Sequence, residues 1–198
     1  MALKLITPPA NLPVTLADAK IHERIDIVDD ANDASILALL AAATLMAENY
    51  TRRAFITQTW RYQTPYIYPI ISLPRPPFIA VDPDEVMFID SYNVRTPILP
   101  IKYFINDTYE PARFIWKGLQ VDGPFGGSCC CGFDELGFTA DIISIEYEAG
   151  YGDDPVDVPM ELREGILQIF GSLYENRESQ MIPDGAIQLL RPYKVEYL

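Results

Sequence analysis

The sequence combines helix-type periodicity at both ends with strand-type alternation in the middle, and this order constrains the fold more than any other feature. Two segments, near residues 34–53 and 159–178, carry apolar stripes at helical spacing. Between about residues 56 and 150, short alternating segments are separated by proline and glycine, as in antiparallel strands and their turns. We therefore expect an α+β fold: a helical bundle formed by N- and C-terminal helices, with an inserted, mostly antiparallel β unit.

The helices are predicted from these stripes together with their end signals. A short helix is expected over residues 15–24 with Thr15 as its N-cap, and Asp33 is the expected N-cap of the first long helix. Pro159 suits the first turn of the second long helix. The apolar stripes of the two long helices are Ile36, Leu40, Ala43, Ala47 and Tyr50, and Leu162, Ile166, Ile169, Phe170 and Leu173.

Two further patterns predict packing. Ile143, Ile145 and Tyr147 alternate with polar residues, so they are expected on one face of a strand. Gly165 and Gly171 are poor helix formers inside the last helix, and we expect them to allow close approach of another helix, such as the alanine-rich face of the first long helix.

These elements divide the chain into three parts. Residues 1–55 and 151–179 are assigned to one discontinuous helical domain, and residues 56–150 to the β insertion. Residues 180–198 are rich in apolar side chains, end in a strand-like YKVEYL, and are too short to form their own core. We expect this C-terminal tail to dock on another protein.

The charge of the chain limits the classes of partner. The formal net charge is −13 in 198 residues, with a single histidine. Nucleic-acid binding through phosphate contacts needs a basic surface, so it is not expected. The N-terminus lacks the pattern of a secretory signal, and the longest apolar run, ILALLAAATLMA, is short and amphipathic, so no membrane span is expected.

No known catalytic motif is visible in the sequence, and neither an enzyme activity nor a cofactor is expected. Cys129, Cys130 and Cys131 lie in a glycine-rich loop, but they lack the paired spacing and the fourth ligand of a zinc site. Adjacent cysteines also suit a disulfide poorly, so an incidental group of thiols is the favoured interpretation and their role stays open. His22 is interpreted as a helix-surface histidine, because the sequence shows no nucleophile to accompany it.

The acidic stretch YEAGYGDDPVDVPMELREGI could be a pocket or only the corner where a strand becomes a helix. Gly150 and Gly152 suit positive backbone angles, and Asp153 and Asp154 favour a turn. A phosphate would meet carboxylates there, so a phosphate site is excluded on charge. A divalent cation remains possible but is not needed to explain these residues.

Three quoted segments together carry a resemblance to a known family. The segments are TLADAKIHERID, AENYTRRAFITQTW and AGYGDDPVDVP. With them the sequence resembles the head–tail connector (adaptor) proteins of long-tailed bacteriophages, a family that also occurs in prophages and gene transfer agents. The resemblance covers roughly residues 12–178. Glu23 replaces the leucine usual before Arg-Ile-Asp. The three adjacent cysteines and the C-terminal tail fall outside the shared pattern.

The resemblance implies a non-enzymatic structural protein in the neck of a virion, assembled in the cytoplasm of a bacterial host. Family members form a ring, typically of twelve copies, beneath the portal. The ring extends the channel through which the genomic DNA passes without sequence-specific binding, and it docks the next neck or tail protein. A stopper or tail-completion protein remains an alternative, although stoppers are mostly β, as does a small acidic enzyme or ligand-binding domain. The ring copy number, the tail type and the downstream partner stay open.

Two sets of interface residues follow as hypotheses. Subunit contacts are expected on the outer faces of the two long helices, with Arg52 and Arg53 opposite Glu161 or Glu164 of a neighbour. The tail is expected to dock on the portal, with an added strand as one mode of docking, through Ile187, Leu189, Leu190, Tyr193, Val195, Tyr197 and Leu198.

Overall fold

A computed structural model describes residues 2–26, 30–65, 68–90, 92–117, 142–176 and 181–196. Over these residues the chain is α+β with antiparallel sheets, as the sequence predicts. The helices are α1 (Leu16–His22), α2 (Asp33–Thr51), α3 (Met160–Glu175) and α4 (Asp184–Leu190). The strands are β1 (Ala2–Thr7), β2 (Gln58–Thr64), β3 (Ile70–Ser72), β4 (Phe78–Val81), β5 (Met87–Ile89), β6 (Arg95–Pro97), β7 (Tyr103–Asn106), β8 (Arg113–Trp116) and β9 (Ile142–Ala149).

The chain divides into two compact units, each drawn from separate segments. The sheet unit spans Met1–Pro8 and Gln58–Ala149, and the helical unit spans Pro9–Thr57 and Gly150–Leu198. The first eight residues therefore belong with the strands and not with the helices, which corrects the expected boundary. The cause is β1, which pairs antiparallel with β2 from Ala2 opposite Gln63 onward.

Strand β9 organises the larger sheet. One of its edges pairs with β2 along its length, and the other edge is shared by β5 and β4. Its residues Ile143, Ile145 and Tyr147 are all buried, so the predicted apolar face is confirmed. The smaller sheet has the strand order β3-β8-β7, with β8 in the middle.

The helical unit is built around one apolar core to which all four helices contribute. Ala19 of α1, Leu40 of α2, Ile166 of α3 and Leu190 of α4 are fully buried in this cluster. The predicted stripes of the two long helices supply most of the remaining members. Fully burying one such large apolar side chain stabilises the fold by about 1.5–3 kcal/mol. The shared core therefore holds the four helices, and the surfaces on them, in place.

The helix starts agree with the sequence at one site and differ by one residue at another. The Thr15 hydroxyl accepts a hydrogen bond from the backbone N–H of Asp18, as predicted for an N-cap. Asp33 is the first residue of α2 and not its cap, which is Asn32. The Asp33 carboxylate instead lies 2.5 Å from the ammonium of buried Lys20 on α1, so it joins the two helices.

Helix α2 has apolar residues on every side, which differs from the amphipathic run expected. By length and composition alone it is the one helix among the described residues that could cross a bilayer. Its inward face is taken up by the core of the helical unit, where Ile36, Leu40 and Ala43 are almost fully buried. Burial in the core therefore explains the apolar residues on the inward face of α2, but not those on its outward face.

The glycines of α3 admit neighbours other than the expected face of α2. A Cβ on Gly165 would lie 2.9 Å from Cδ2 of Leu190, so α4 is the helix that approaches there. A Cβ on Gly171 would lie 2.5 Å from Oε1 of Glu23, which follows α1. The prediction of close approach is right, and the predicted partner is wrong.

The acidic stretch forms the corner where β9 leads back into the helical unit. Tyr151 donates its N–H to Phe55 O at 2.9 Å, and Thr57 donates to Gly152 O at 3.0 Å. Gly150 has φ 149°, and a side chain there would strike the backbone of Thr57. Gly152 is required for a different reason, because a Cβ would collide with the carboxylate of Asp157.

Candidate interaction surfaces of the helical unit

Arg53 and Glu161, expected at a subunit interface, hold the chain's own C-terminal segment. Arg53 is 9% exposed, and its Nε donates to the carbonyl oxygen of Tyr193 at 2.6 Å. The Tyr193 hydroxyl donates to Oε2 of Glu161 at 3.1 Å. Burial raises the pKa of the Tyr193 phenol, and its hydrogen bond to the carboxylate adds to the rise. Arg53, just beyond the end of α2, and Glu161 of α3 thus fix one residue of the tail.

Arg52 and Glu164 lie elsewhere on the helical unit. Arg52 ends α2 in the left-handed conformation, with φ 58°, and its side chain is exposed. Glu164 lines a groove between α1 and α3. The structure therefore does not bring the four proposed interface residues together within one chain, and it assigns Arg53 to an internal role.

The C-terminal tail is not strand-like over its described residues. It forms α4 and a short 3-10 turn, Arg191–Tyr193, and its Val195 N–H donates to Thr51 O at 2.9 Å. Leu190 and Val195 are buried in the chain's own fold, while Ile187, Leu189 and Tyr193 are half-buried. Tyr197 and Leu198 lie outside the described residues. The tail thus packs into the helical unit, with Leu190 in its core, and docking of the tail on another protein stays a prediction.

The outward face of α2 is an uncharged apolar surface. Its leucines are well exposed, at 41% for Leu37 and 56% for Leu45, and alanines lie between them. The one charged residue between Asp33 and Arg52 is Glu48, which faces inward and accepts the Phe55 N–H at 3.0 Å. We call this face the α2 ridge; it consists of Leu37, Ala38, Ala41, Ala42 and Leu45.

A second surface, the α1–α3 groove, lies between α1 and α3. It has a volume of about 300 Å³, and two apolar side chains at its rim are strongly exposed, Ile21 at 61% and Met160 at 73%. Its polar lining includes Asp18, Arg163 and Glu164. No residue of α2 lines it, so the ridge and the groove are separate surfaces of one unit.

The outer faces of the two long helices are expected interfaces from the sequence, but the expected contacts are charged, and the apolar ridge and groove were not predicted. The sequence contains a signal for each. Between Asp33 and Glu48 there is no charged residue at all, whereas a surface helix normally has a charged face. In the groove, Ile21 falls on the polar side of α1, away from buried Ala19. An exposed apolar residue on the polar side of a helix is the signal in the sequence for the groove.

The Asp157 carboxylate and the ring of His22 are engaged in local contacts. Among the residues that the structure describes, no group of three or more His, Cys, Asp or Glu side chains could hold a metal ion. At the corner, the Asp157 carboxylate accepts the Asp154 N–H at 3.2 Å in a capping arrangement. His22 Nδ1 lies 3.0 Å from Oε1 of Glu23. Cys129, Cys130 and Cys131 fall outside the described residues.

The fold is shared with solved structures of particle necks. One chain, from the "Neck of empty GTA particle computed with C6 symmetry", has a TM-score of 0.78 at 21% identity and covers 100% of this chain and 97% of its own. A chain from the "Virion of native gene transfer agent (GTA) particle" has a TM-score of 0.75 at 20% identity, again over 100% and 97%. A third, from the "Neck of native GTA particle computed with C12 symmetry", has a TM-score of 0.72 at 19% identity with the same coverage.

These likenesses establish a common fold over the whole chain, helices and sheets together. They agree with the α+β class expected from the helical and strand periodicity of the sequence. No family model and no curated protein sequence matches the chain.

Proposed function

We propose that this chain is a head–tail connector (adaptor) protein, a structural component in the neck of a tailed bacteriophage or related particle. The observation that carries the proposal is the match over the full chain length to chains of gene transfer agent particles, two of them from particle necks. The three segments that resemble connector proteins support it independently, because they are a property of the sequence and not of the fold. The role is structural and needs no cofactor.

In this role, identical copies form a ring beneath the portal, and we propose twelve of them. The support is the symmetry of the particles to which the matching chains belong, C12 in one neck and C6 in another. The four helices would act as one bundle within each copy, since they share a single core. The ring would extend the DNA channel and receive the next neck or tail protein.

The acidity of the chain suits passage of DNA without adhesion. A net charge of −13 repels a phosphate backbone where it faces the channel. Arg61 of the sheet unit is neutralised by Glu146, with Nη2 to Oε2 at 2.7 Å. The DNA would thus be a passing cargo and not a sequence-specific ligand.

We propose the adaptor in preference to a stopper because of the helices. Helices α2 and α3 have 19 and 16 residues and supply most of the core of the helical unit. A stopper is expected to be mostly β. An adaptor must contact the portal directly, and half-buried Leu189 of α4 is a candidate residue for that contact.

The test is native mass spectrometry and electron microscopy of the purified protein, alone and with purified portal. We expect closed rings, or a portal complex with ring stoichiometry, and weaker portal binding by Leu189→Asp. Binding to a partner other than the portal would favour the stopper. A monomer that ignores the portal under all conditions would overturn the proposed function, whereas unchanged binding by Leu189→Asp would exclude that contact alone.

A further inference from the structure

The helical unit has two separate apolar surfaces that its own chain leaves exposed. We propose that the α2 ridge of one copy packs into the α1–α3 groove of the next copy, and that this contact, repeated, closes the ring. The inference rests on the proposed function for the existence of a ring, and adds which two surfaces form its subunit interface.

The ridge needs a protein partner because its composition does not suit water. Leu37 and Leu45 are about half exposed, and the positions between them on this face are alanines without a charge. A helix that is apolar on all sides is normally buried on all sides. Its other face already lies in the core, so only contact with another surface completes the burial.

The groove matches the ridge in length. Leu37 and Leu45 are eight residues apart, which is about 12 Å along a helix, and Met160 and Leu167 are seven residues apart on α3, which is about 10 Å. Small alanines between two leucines allow a close approach of backbones, as in ridge-and-groove packing of helices. A second copy of this chain is therefore an occupant of suitable shape.

The charges around the two surfaces are also complementary. The lining of the groove carries two acidic residues, Asp18 and Glu164, against one basic residue, Arg163, so its rim is acidic on balance. The ridge ends at Leu45, and exposed Arg52 follows seven residues later, at the end of α2. An apolar centre with a charged rim is the usual composition of a protein interface. In this arrangement Arg52 of one copy lies toward the acidic rim of the next, which sets the register of the contact.

Two different surfaces are needed because of ring symmetry. If the ridge paired with another ridge, the contact would be self-complementary and would close at a dimer. A ridge that meets a groove leaves one groove and one ridge free at the ends, so copies continue to add, and they form a ring where the rotation between neighbours closes.

The experiment compares ridge and groove variants on the intact protein, with portal present. Leu45→Glu disables the ridge and Ile21→Glu disables the groove, each by placing an unpaired charge in the contact. Val156→Glu is the matched control, because Val156 is 75% exposed on the same unit and belongs to neither surface. Circular dichroism verifies folding, and Ala42→Glu and Met160→Glu replace any variant that fails to fold.

We expect each disabled variant alone to lose ring assembly by about tenfold or more in protein concentration, while the control assembles normally. An equal mixture of Leu45→Glu and Ile21→Glu should form a heterodimer that stops there. One intact groove then meets one intact ridge, and both remaining surfaces are blocked. Because the two variants have equal masses, one of them is uniformly labelled with ¹⁵N, and native mass spectrometry then distinguishes this dimer from homodimers.

The outcomes separate the two proposals. If the wild type forms rings and Leu45→Glu or Ile21→Glu forms them equally well, the interface is wrong while the proposed function stands. A mixture that stays monomeric while each variant is folded also contradicts a ridge-to-groove contact. If the wild type itself forms no ring with portal, the proposed function fails, and the interface inferred from it fails as well.

Discussion

At the scale of single residues, side chains that look alike in the sequence have different roles in the fold. Arg52 and Arg53 are neighbours at the end of α2, yet one is exposed and the other is buried against the Tyr193 carbonyl. Reversal of both charges would therefore mix two effects. Arg52→Glu tests assembly, whereas Arg53→Glu leaves a carboxylate facing a carbonyl oxygen in a buried site and tests folding.

The tyrosine hydroxyls of the sheet unit provide a residue-scale prediction for high pH. Burial raises the pKa of Tyr103 above its ordinary value of 10.0, with Asp82 adding to the rise. The unfolded chain thus releases this proton at a lower pH than the folded chain. The contribution of Tyr103 to the free energy of unfolding is therefore fully present below pH 10.0, and it is lost as the pH rises through the folded-state pKa.

We expect Tyr103→Phe to reduce that alkaline loss without destabilising the protein at neutral pH. The Tyr103 hydroxyl is buried and finds no hydrogen-bond partner within the described part of the chain, and its ring stacks on Phe114 at 4.6 Å. Removing the hydroxyl keeps the ring contact and changes the neutral-pH free energy of unfolding by less than about 1 kcal/mol.

Urea denaturation between about pH 7 and pH 11 measures both quantities. Tyr92→Phe, at a side chain that is 88% exposed, is the control for loss of a phenol hydroxyl. Equal alkaline losses for Tyr103→Phe and wild type would contradict the prediction.

At the scale of elements, helix α4 is the feature that the sequence left most open. Its periodicity is too short to distinguish a helix that docks on its own chain from one that docks elsewhere. The tertiary structure decides this through two sites of close packing, Leu190 against Gly165 and the Arg53–Tyr193 hydrogen bond. Each pairs residues that are far apart in sequence, and no local pattern reports such a pairing.

Truncation after Ser179 is therefore expected to damage the helical unit and not merely to remove a docking segment. The point variant Leu190→Ala isolates this effect. Leu190 is fully buried, so the substitution should lower the free energy of unfolding by about 2–5 kcal/mol.

Chemical denaturation followed by circular dichroism tests the value. Gln188→Ala, at an exposed position of the same helix, should change the free energy of unfolding by no more than about 0.5 kcal/mol. A Leu190→Ala protein as stable as this control would show that α4 is not part of the core.

At the scale of the whole molecule, the two units are interleaved in sequence. The two segments of the helical unit are hydrogen-bonded to each other where the insertion leaves and returns. The Thr57 N–H donates to Gly152 O at 3.0 Å, and the Tyr151 N–H donates to Phe55 O at 2.9 Å. The exit and return points of the insertion are thus close within the helical unit.

We expect the helical unit to fold without the sheet unit. Residues 9–57 joined to residues 150–198 by a short glycine linker should unfold cooperatively, with strong helical circular dichroism, because the core of this unit draws on its own residues. The same chain carrying Leu190→Ala should melt at a lower temperature. A joined chain with no cooperative transition would show that the insertion is required for the helical core.

The sequence by itself determined that two long helices flank a region of strands, the order of these elements, and the inward face of each long helix. These properties follow from local periodicity, as in Ile143, Ile145 and Tyr147, and from local capping, as in Thr15. The tertiary structure alone decided that β1 joins the sheet, that Gly165 receives Leu190, and that Arg53 is an internal anchor. It also decided that the outward face of α2 remains uncovered. Such pairings depend on contacts between residues that are distant in sequence, and local patterns do not predict them.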